Sequence, residues 1–174
     1  MTTDLFGVET VPKNGGMTGH ESSTGGTDEW LTPPELIAAL GTFDLDPCSP
    51  IKRPWDTARK HYTIEDNGLA QKWDGRVWLN PPYANVPVWM SRMADHGHGT
   101  ALLFARTETR AWQEFIWPRA TALLFIKGRL TFWTPGGRPA RGPAGAPSAL
   151  IAYGDRDAEA LRTSDVVLET PAEG

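Results

Sequence analysis

The chain has 174 residues, enough for one domain with a substantial core, and its eight Trp, fifteen Pro and eighteen Gly argue against a helical bundle. One cysteine, Cys48, excludes an intrachain disulfide, and no apolar run approaches about 18 residues. With no signal-like N-terminus either, a soluble cytoplasmic protein without a membrane partner is expected. The net charge of −4 is unevenly spread: residues 1–29 and 155–174 each carry −4, while the body from Trp30 to Gly154 carries +4.

Residues 1–27 are rich in Gly, Ser and Thr and weakly apolar, which predicts a flexible arm ahead of a domain over residues 28–154. Thr32-Pro33-Pro34-Glu35 predicts a helix start, with Thr32 as cap and a proline in the first turn. Leu36, Ile37 and Leu40 give that helix an apolar face, and Gly41 ends it. Phe43-Asp44-Leu45 reads as a strand running into Asp46-Pro47-Cys48, His61-Tyr62-Thr63 as a short second strand, and Leu69 to Trp73 as a turn or short helix. Val77-Trp78-Leu79 is a short apolar strand, and Val86 to Ala94 a helix with Trp89, Met90 and Met93 inward. Ala101 to Ala105 and Ala122 to Ile126 read as strands buried on both faces. Between them Thr109 to Ile116 is a helix stopped by Pro118. Leu130 to Trp133 reads as a shorter strand, Thr134 to Pro147 as a Gly/Pro/Arg-rich loop and Ser148 to Tyr153 as the last strand. Residues 155–174 then form an acidic tail. Alternating strands and helices predict an α/β fold, with a mainly parallel sheet and helices on both faces.

Asn80-Pro81-Pro82-Tyr83 is the segment with a specific chemical capacity. Two prolines forbid both strand continuation and helix, so the chain leaves Val77–Leu79 as a rigid loop. Asn80 therefore stands at the carboxyl end of a strand, where open α/β sheets place ligands. Its carboxamide oxygen and the Pro81 carbonyl can both accept hydrogen bonds, and neither proline can donate one. Such a loop suits a substrate NH2 group, with Tyr83 offering a flat face to a planar ring. The alternative is a strand end followed by a Pro-rich turn.

Asn-Pro-Pro-Tyr is the motif of methyltransferases that act on amino groups, and the wider pattern resembles the small phage-type DNA N6-adenine methyltransferases. The matching pieces are Trp30-Leu31-Thr32-Pro33, Phe43 to Pro47, Asp66-Asn67-Gly68-Leu69 with Trp73, Asn80 to Tyr83, and Gly128 to Phe132. They occur in the family's order over roughly residues 28–154. The resemblance implies a Rossmann-like methyltransferase fold of reduced size and S-adenosylmethionine as methyl donor, with no metal. It implies catalytic roles for Asn80, Pro81, Pro82 and Tyr83, acting on an adenine flipped out of DNA, expected to be double-stranded. It also implies modification of phage DNA, in a host cell cytoplasm.

For the donor, the resemblance points to Thr32 and Pro33, where a helix N-terminus suits a carboxylate. It points equally to the Asp46-Pro47-Cys48 turn, where Asp46 can accept a bond from the donor ammonium. Asp66 resembles the acid that contacts the adenosine half, with an Asx-type turn as the alternative and Glu65 as fallback. Trp30 reads as a core residue in preference to a flank for the adenine. Ser49-Pro50 stands where most methyltransferases have a Gly-rich turn, a departure shared with the small phage group.

Ile116 to Gly154 holds Arg119, Lys127, Arg129, Arg138 and Arg141 and no acid, which suits phosphate contacts but also an ordinary solvated surface. Arg138 and Arg141 in the long loop, Arg129, and Arg106 and Arg110 after another strand end are the expected DNA contacts. No helix-turn-helix or zinc-finger spacing occurs. His96-Gly97-His98 lacks further ligands and reads as a solvated turn. Two other functions are compatible with the motifs: a methyltransferase of RNA or of a protein glutamine, and an inactive DNA-binding module.

Overall fold

Short apolar runs bounded by Pro, Gly and Asp form the strands, and the order in which they pair decides where a ligand can sit. A computed structural model of the chain describes residues 29–166. Its strands are β1 (Leu45–Asp46), β2 (Lys60–His61), β3 (Val77–Leu79), β4 (Gly99–Phe104), β5 (Ala122–Phe125) and β6 (Ser148–Tyr153). They form one sheet in the order β2-β1-β3-β4-β6-β5. The β2, β1, β3 and β4 strands are parallel, and β6 inserts antiparallel to both β4 and β5. The fold is a small Rossmann-like α/β fold with a mixed sheet, parallel on the side that carries Asn80.

Three α-helices, α1 (Pro34–Leu40), α2 (Val86–His96) and α3 (Asp155–Thr163), cover the sheet together with a π-helical segment, Trp112–Ile116. Side chains alternate across the pleat. Trp78 joins Leu36, Ile37 and Leu40 of α1 and Ala158 and Leu161 of α3 on one face. Val77 and Leu79 join Met90 and Met93 of α2, Trp112 and Ile116 on the other. At Gly99 a Cβ would overlap the Val77 carbonyl oxygen, so only glycine lets β4 lie this close to β3.

Several expectations need correction. The regular first strand spans only Leu45–Asp46, although the Asp44 backbone still bonds to Arg76 and Lys60, and its carboxylate accepts the Arg76 backbone N–H at 2.8 Å and faces Arg59 at 3.5 Å. The second begins at Lys60 and ends at His61. The 109–116 helix closes as a π turn: Trp117 N–H reaches back five residues to Trp112 at 2.9 Å, and Pro118 has no N–H with which to continue. β5 is not buried on both faces; it is an edge strand, half-buried, with Phe125 exposed. Leu130 to Trp133 is not a sheet strand. Leu130 and Phe132 plug the core, and Trp133 exchanges two backbone bonds with Leu31 at 2.8 and 2.9 Å.

The acidic tail is the largest correction. Residues 155–163 are helix α3, with acidic Asp155 and Asp157 in its first turn, where the helix dipole favours them. Asp157 is fully buried and meets the buried Arg76 at 2.8 Å, while Thr100 donates to the same carboxylate at 2.7 Å. Arg76 also donates to the Leu40 and Thr42 carbonyls and lies over the Phe43 ring. This pair ties α3 and the end of α1 to the amino ends of β3 and β4. The predicted arm over residues 1–27 and the tail beyond residue 166 lie outside the described residues.

Candidate active site

Because β1 and β3 are parallel and paired through Leu45 and Val77, their carboxyl ends deliver Asp46 and Asn80 to the same rim of the sheet. A cavity of about 620 Å³ opens there, walled by Asp46, Cys48, Trp55, Asn80 and Tyr83 among others. Its size is within the range of small-molecule sites. A hollow of about 240 Å³ at Asp44, Lys60, Lys72 and Asp74 lies instead at the amino ends of β1 and β3, away from Asn80.

The Asn80 carboxamide is held by its nitrogen. Nδ2 donates to the Trp30 carbonyl at 3.2 Å and to Thr32 Oγ1 at 3.3 Å. A backbone carbonyl can only accept, so the amide nitrogen must face Trp30, and that settles which end is oxygen. No donor among the described residues bonds to Oδ1, which is left as an acceptor on the opposite side. The next residues extend this pattern. Pro82 O accepts the Asn85 N–H at 3.4 Å, whereas no backbone donor among the described residues takes Pro81 O. Pro81 is buried and Pro82 exposed.

Tyr83 is half exposed at 51% and stacks on Phe104, with ring centroids 4.9 Å apart and planes 21° off parallel. Desolvation against that neighbour pushes its hydroxyl up to about 12, so it stays neutral at working pH. Phe104 in turn packs edge-on to Phe132 at 6.4 Å.

Asp46 is only 4% exposed. Its Oδ1 accepts the Cys48 N–H at 3.1 Å, and its Oδ2 accepts a short bond from the Thr57 hydroxyl. Desolvation raises its carboxyl to about 6, against the opposing pull of Thr57, the Cys48 N–H and Arg53. Thr57 is itself set in place by His61, whose Nε2 accepts the N–H groups of Thr57 and Ala58, each at 3.3 Å. Burial, then Arg53, hold that imidazole low, which keeps the accepting nitrogen unprotonated. Burial likewise pushes the Cys48 thiol up, so it remains a donor, and it binds the Asn80 carbonyl at 3.3 Å. The thiol thus ties the β1 loop to the Asn80 loop. Pro47 is buried in the same wall.

Three donor-site expectations change. Asp66 does not face the cavity: it is exposed, and its carboxylate accepts the Thr63 N–H at 2.7 Å and the Thr63 hydroxyl at 2.9 Å. Those bonds hold it below the usual carboxylate range; it closes a local turn back onto Thr63, whose carbonyl accepts the Asp66 N–H at 3.1 Å, and not the expected Asx-type turn, in which the acid would accept an N–H two residues ahead. Asn67 and Gly68 line the cavity in its place. A Cβ on Gly68 would run into the Pro47 carbonyl, so glycine sets this turn against the Asp46 loop. Thr32 does not cap α1; Pro33 is the N-cap. Pro33 and Pro34 have no N–H, and those of Leu36 and Ile37 already go to Pro33 O, leaving few donors for an anion. Trp30 is not a core residue but an exposed one on the cavity wall.

The 134–147 loop is pinned to the rim by the Leu31–Trp133 bridge and by Trp55, whose ring meets Trp133 edge-on at 5.3 Å. Arg129, Arg138 and Arg141 are exposed, as is Arg106, which lies 5.9 Å from the Phe104 ring. None of these four makes an ion pair among the described residues, whereas Arg110 is paired with Glu114 at 2.9 Å. His96 and His98 stack at 6.5 Å, and His96 Nε2 is 2.8 Å from Gly75 O. Among the described residues no group of three or more His, Cys, Asp or Glu could hold a metal ion, and no helix is long and apolar enough to cross a membrane.

A family model described as DNA N-6-adenine-methyltransferase (Dam) matches residues 20–160. The chain belongs to this family. The match takes in all six strands and the Asp46 and Asn80 loops, so it covers the whole sheet and the rim where the cavity opens. No curated protein and no solved structure matches the chain. The cavity of this Dam-family domain is also lined by residues that the motifs do not mark: Arg53, Trp55 and Thr57. A Trp in a Pro-flanked stretch without periodicity is the one local signal for Trp55; Thr57 has none, since its role appears only once Asp46 is buried beside it.

Proposed function

We propose that this protein transfers a methyl group from S-adenosylmethionine to the N6 amino group of adenine in double-stranded DNA, at Asn80 to Tyr83. The observation that carries the reading is the tethered Asn80 amide: its nitrogen is tied to Trp30 and Thr32, so Oδ1 is reserved for a donor NH2.

The cavity fits the methyl donor. Asp46 is a desolvated carboxylate that a cation would stabilise, which suits the ammonium of a methionine moiety. Trp30 and Trp55 offer faces for the adenine, and Asn67 offers polar groups for the ribose side. When bound, S-adenosylmethionine supplies a methyl group on a positively charged sulfur. Everything else falls to the chain. An adenine amino nitrogen is a poor nucleophile because its lone pair is shared with the ring. Asn80 Oδ1 and Pro81 O can accept its two N–H bonds, which favours a pyramidal nitrogen with its lone pair freed. Preorganised acceptors and positioning then account for most of the rate, with no strong base.

A base stacked in duplex DNA cannot reach this loop, so it must flip out. The open face of Tyr83 receives it, with Phe104 supporting the ring from behind. The phosphate contacts are assigned to Arg106, Arg129, Arg138 and Arg141, which are exposed and make no ion pair among the described residues, and Arg110 contributes less because Glu114 shares its charge.

The test is transfer of labelled methyl to unmethylated DNA, followed by nucleoside analysis, with wild type and Asn80→Ala. Label in N6-methyladenine that falls roughly 10²–10³-fold in Asn80→Ala, with donor binding intact, is the expected result. Label in RNA or protein instead of DNA would overturn the substrate, and full activity of Asn80→Ala would overturn the site.

A further inference from the structure

We infer that Thr32 is a positioning residue for methyl transfer, acting through the orientation of the Asn80 amide; this rests on the function proposed above. The two Nδ2 protons of Asn80 have two acceptors, the Trp30 carbonyl and Thr32 Oγ1, at 3.2 and 3.3 Å. Together they decide which end of a nearly symmetrical carboxamide faces the substrate. An amide turned over would present NH2 to the adenine NH2, donor against donor, and the reaction would stop. Thr32 is 3% exposed, so no bulk water stands ready to replace its hydroxyl.

The clamp is held from outside the loop it serves. Trp30 and Thr32 flank Leu31, which exchanges its N–H and C=O with Trp133 in a two-bond bridge. The segment that orients Asn80 is therefore fastened to the start of the basic loop, with Arg129 on one side and Arg138 and Arg141 on the other. The Thr32 hydroxyl has no other donor or acceptor role among the described side-chain bonds, and it does not cap α1. Its one partner is Asn80.

The experiment compares Thr32→Val, Thr32→Ser and Asn80→Ala in single-turnover methylation of DNA. DNA affinity, S-adenosylmethionine affinity by calorimetry and urea stability are measured alongside. Val keeps the shape and removes the hydroxyl; Ser keeps the hydroxyl. Thr32→Val should lower the rate of the chemical step roughly tenfold while both affinities stay within about twofold, and Thr32→Ser should keep the wild-type rate. An unchanged rate in Thr32→Val, with Asn80→Ala inactive, would overturn the positioning role and leave the site standing. Loss of donor affinity at an unchanged rate would assign Thr32 to the donor instead. Equal loss in Val and Ser variants with lowered stability would reduce it to packing. Full activity of Asn80→Ala would remove the proposed function itself.

Discussion

Asp46 is a buried carboxylate whose charge costs the fold stability, and Asp46→Asn measures that cost. Burial raises its carboxyl from an ordinary 3.8 to about 6. The native state therefore holds the proton more tightly than the unfolded chain, and stability is lost as pH rises from about 4 to about 6, then levels off. At about 1.4 kcal/mol per tenfold, the loss reaches about 3 kcal/mol at about pH 8, but only about 1 kcal/mol at about pH 4.5. Asn cannot ionise, and its oxygen can keep the Cys48 N–H while the Thr57 hydroxyl turns to accept from its nitrogen. Asp46→Asn should therefore be more stable than wild type by about 3 kcal/mol at about pH 8, with the gap shrinking to about 1 kcal/mol at about pH 4.5. Urea titrations followed by fluorescence of the eight Trp residues measure both. Calorimetry should show S-adenosylmethionine binding weakened at least about 30-fold, since an ammonium loses a charged partner. A gap that does not change with pH, or a variant less stable at about pH 8, would refute the reasoning.

Other outcomes are equally specific. Tyr83→Phe should keep activity, because the proposed role is the ring, whereas Tyr83→Ala should lower kcat/KM about 10–100-fold in a steady-state assay. Arg138→Ala and Arg141→Ala should each reduce the salt dependence of DNA binding by about one phosphate contact, read as a shallower log–log slope; Arg110→Ala should change it less. Arg76→Met should cost about 3–5 kcal/mol in urea stability, because it strands the buried Asp157, and adding Asp157→Leu should restore part of the loss.

The place of the Asn80–Tyr83 loop in the fold was legible because its logic is local. An apolar triplet, an Asn and two prolines dictate strand, acceptor and rigid exit without reference to any distant residue, and the loop stands where that logic puts it. Asp46 follows the same rule at the end of β1. The clamp on Asn80 was not legible, because Thr32 lies 48 residues away and a Thr before two prolines looks like a helix cap. Asp66 misled for the converse reason: its local partner, Thr63, satisfies it before a ligand can. Helix α3 was hidden by its charge. Asp157 reads as one more acid in a tail until Arg76, 81 residues earlier, is found beside it. In β5 an apolar run suggested two covered faces, but composition cannot tell an edge strand from a central one, and only the position of β6 decides.

That position also bears on how the chain comes to be folded during synthesis. β5 leaves the ribosome before β6, yet β6 lies between β4 and β5. Until Ser148–Tyr153 has been made, the growing chain has no neighbour for β5, and the outer edge of β4 is open. A nascent chain ending at Pro147 already contains both the Asp46 and Asn80 loops but not the strand that closes the sheet behind them. Closure of the sheet is therefore a late event, and any pause in translation between Phe125 and Ser148 prolongs the exposure of the unpaired β4 edge and of β5.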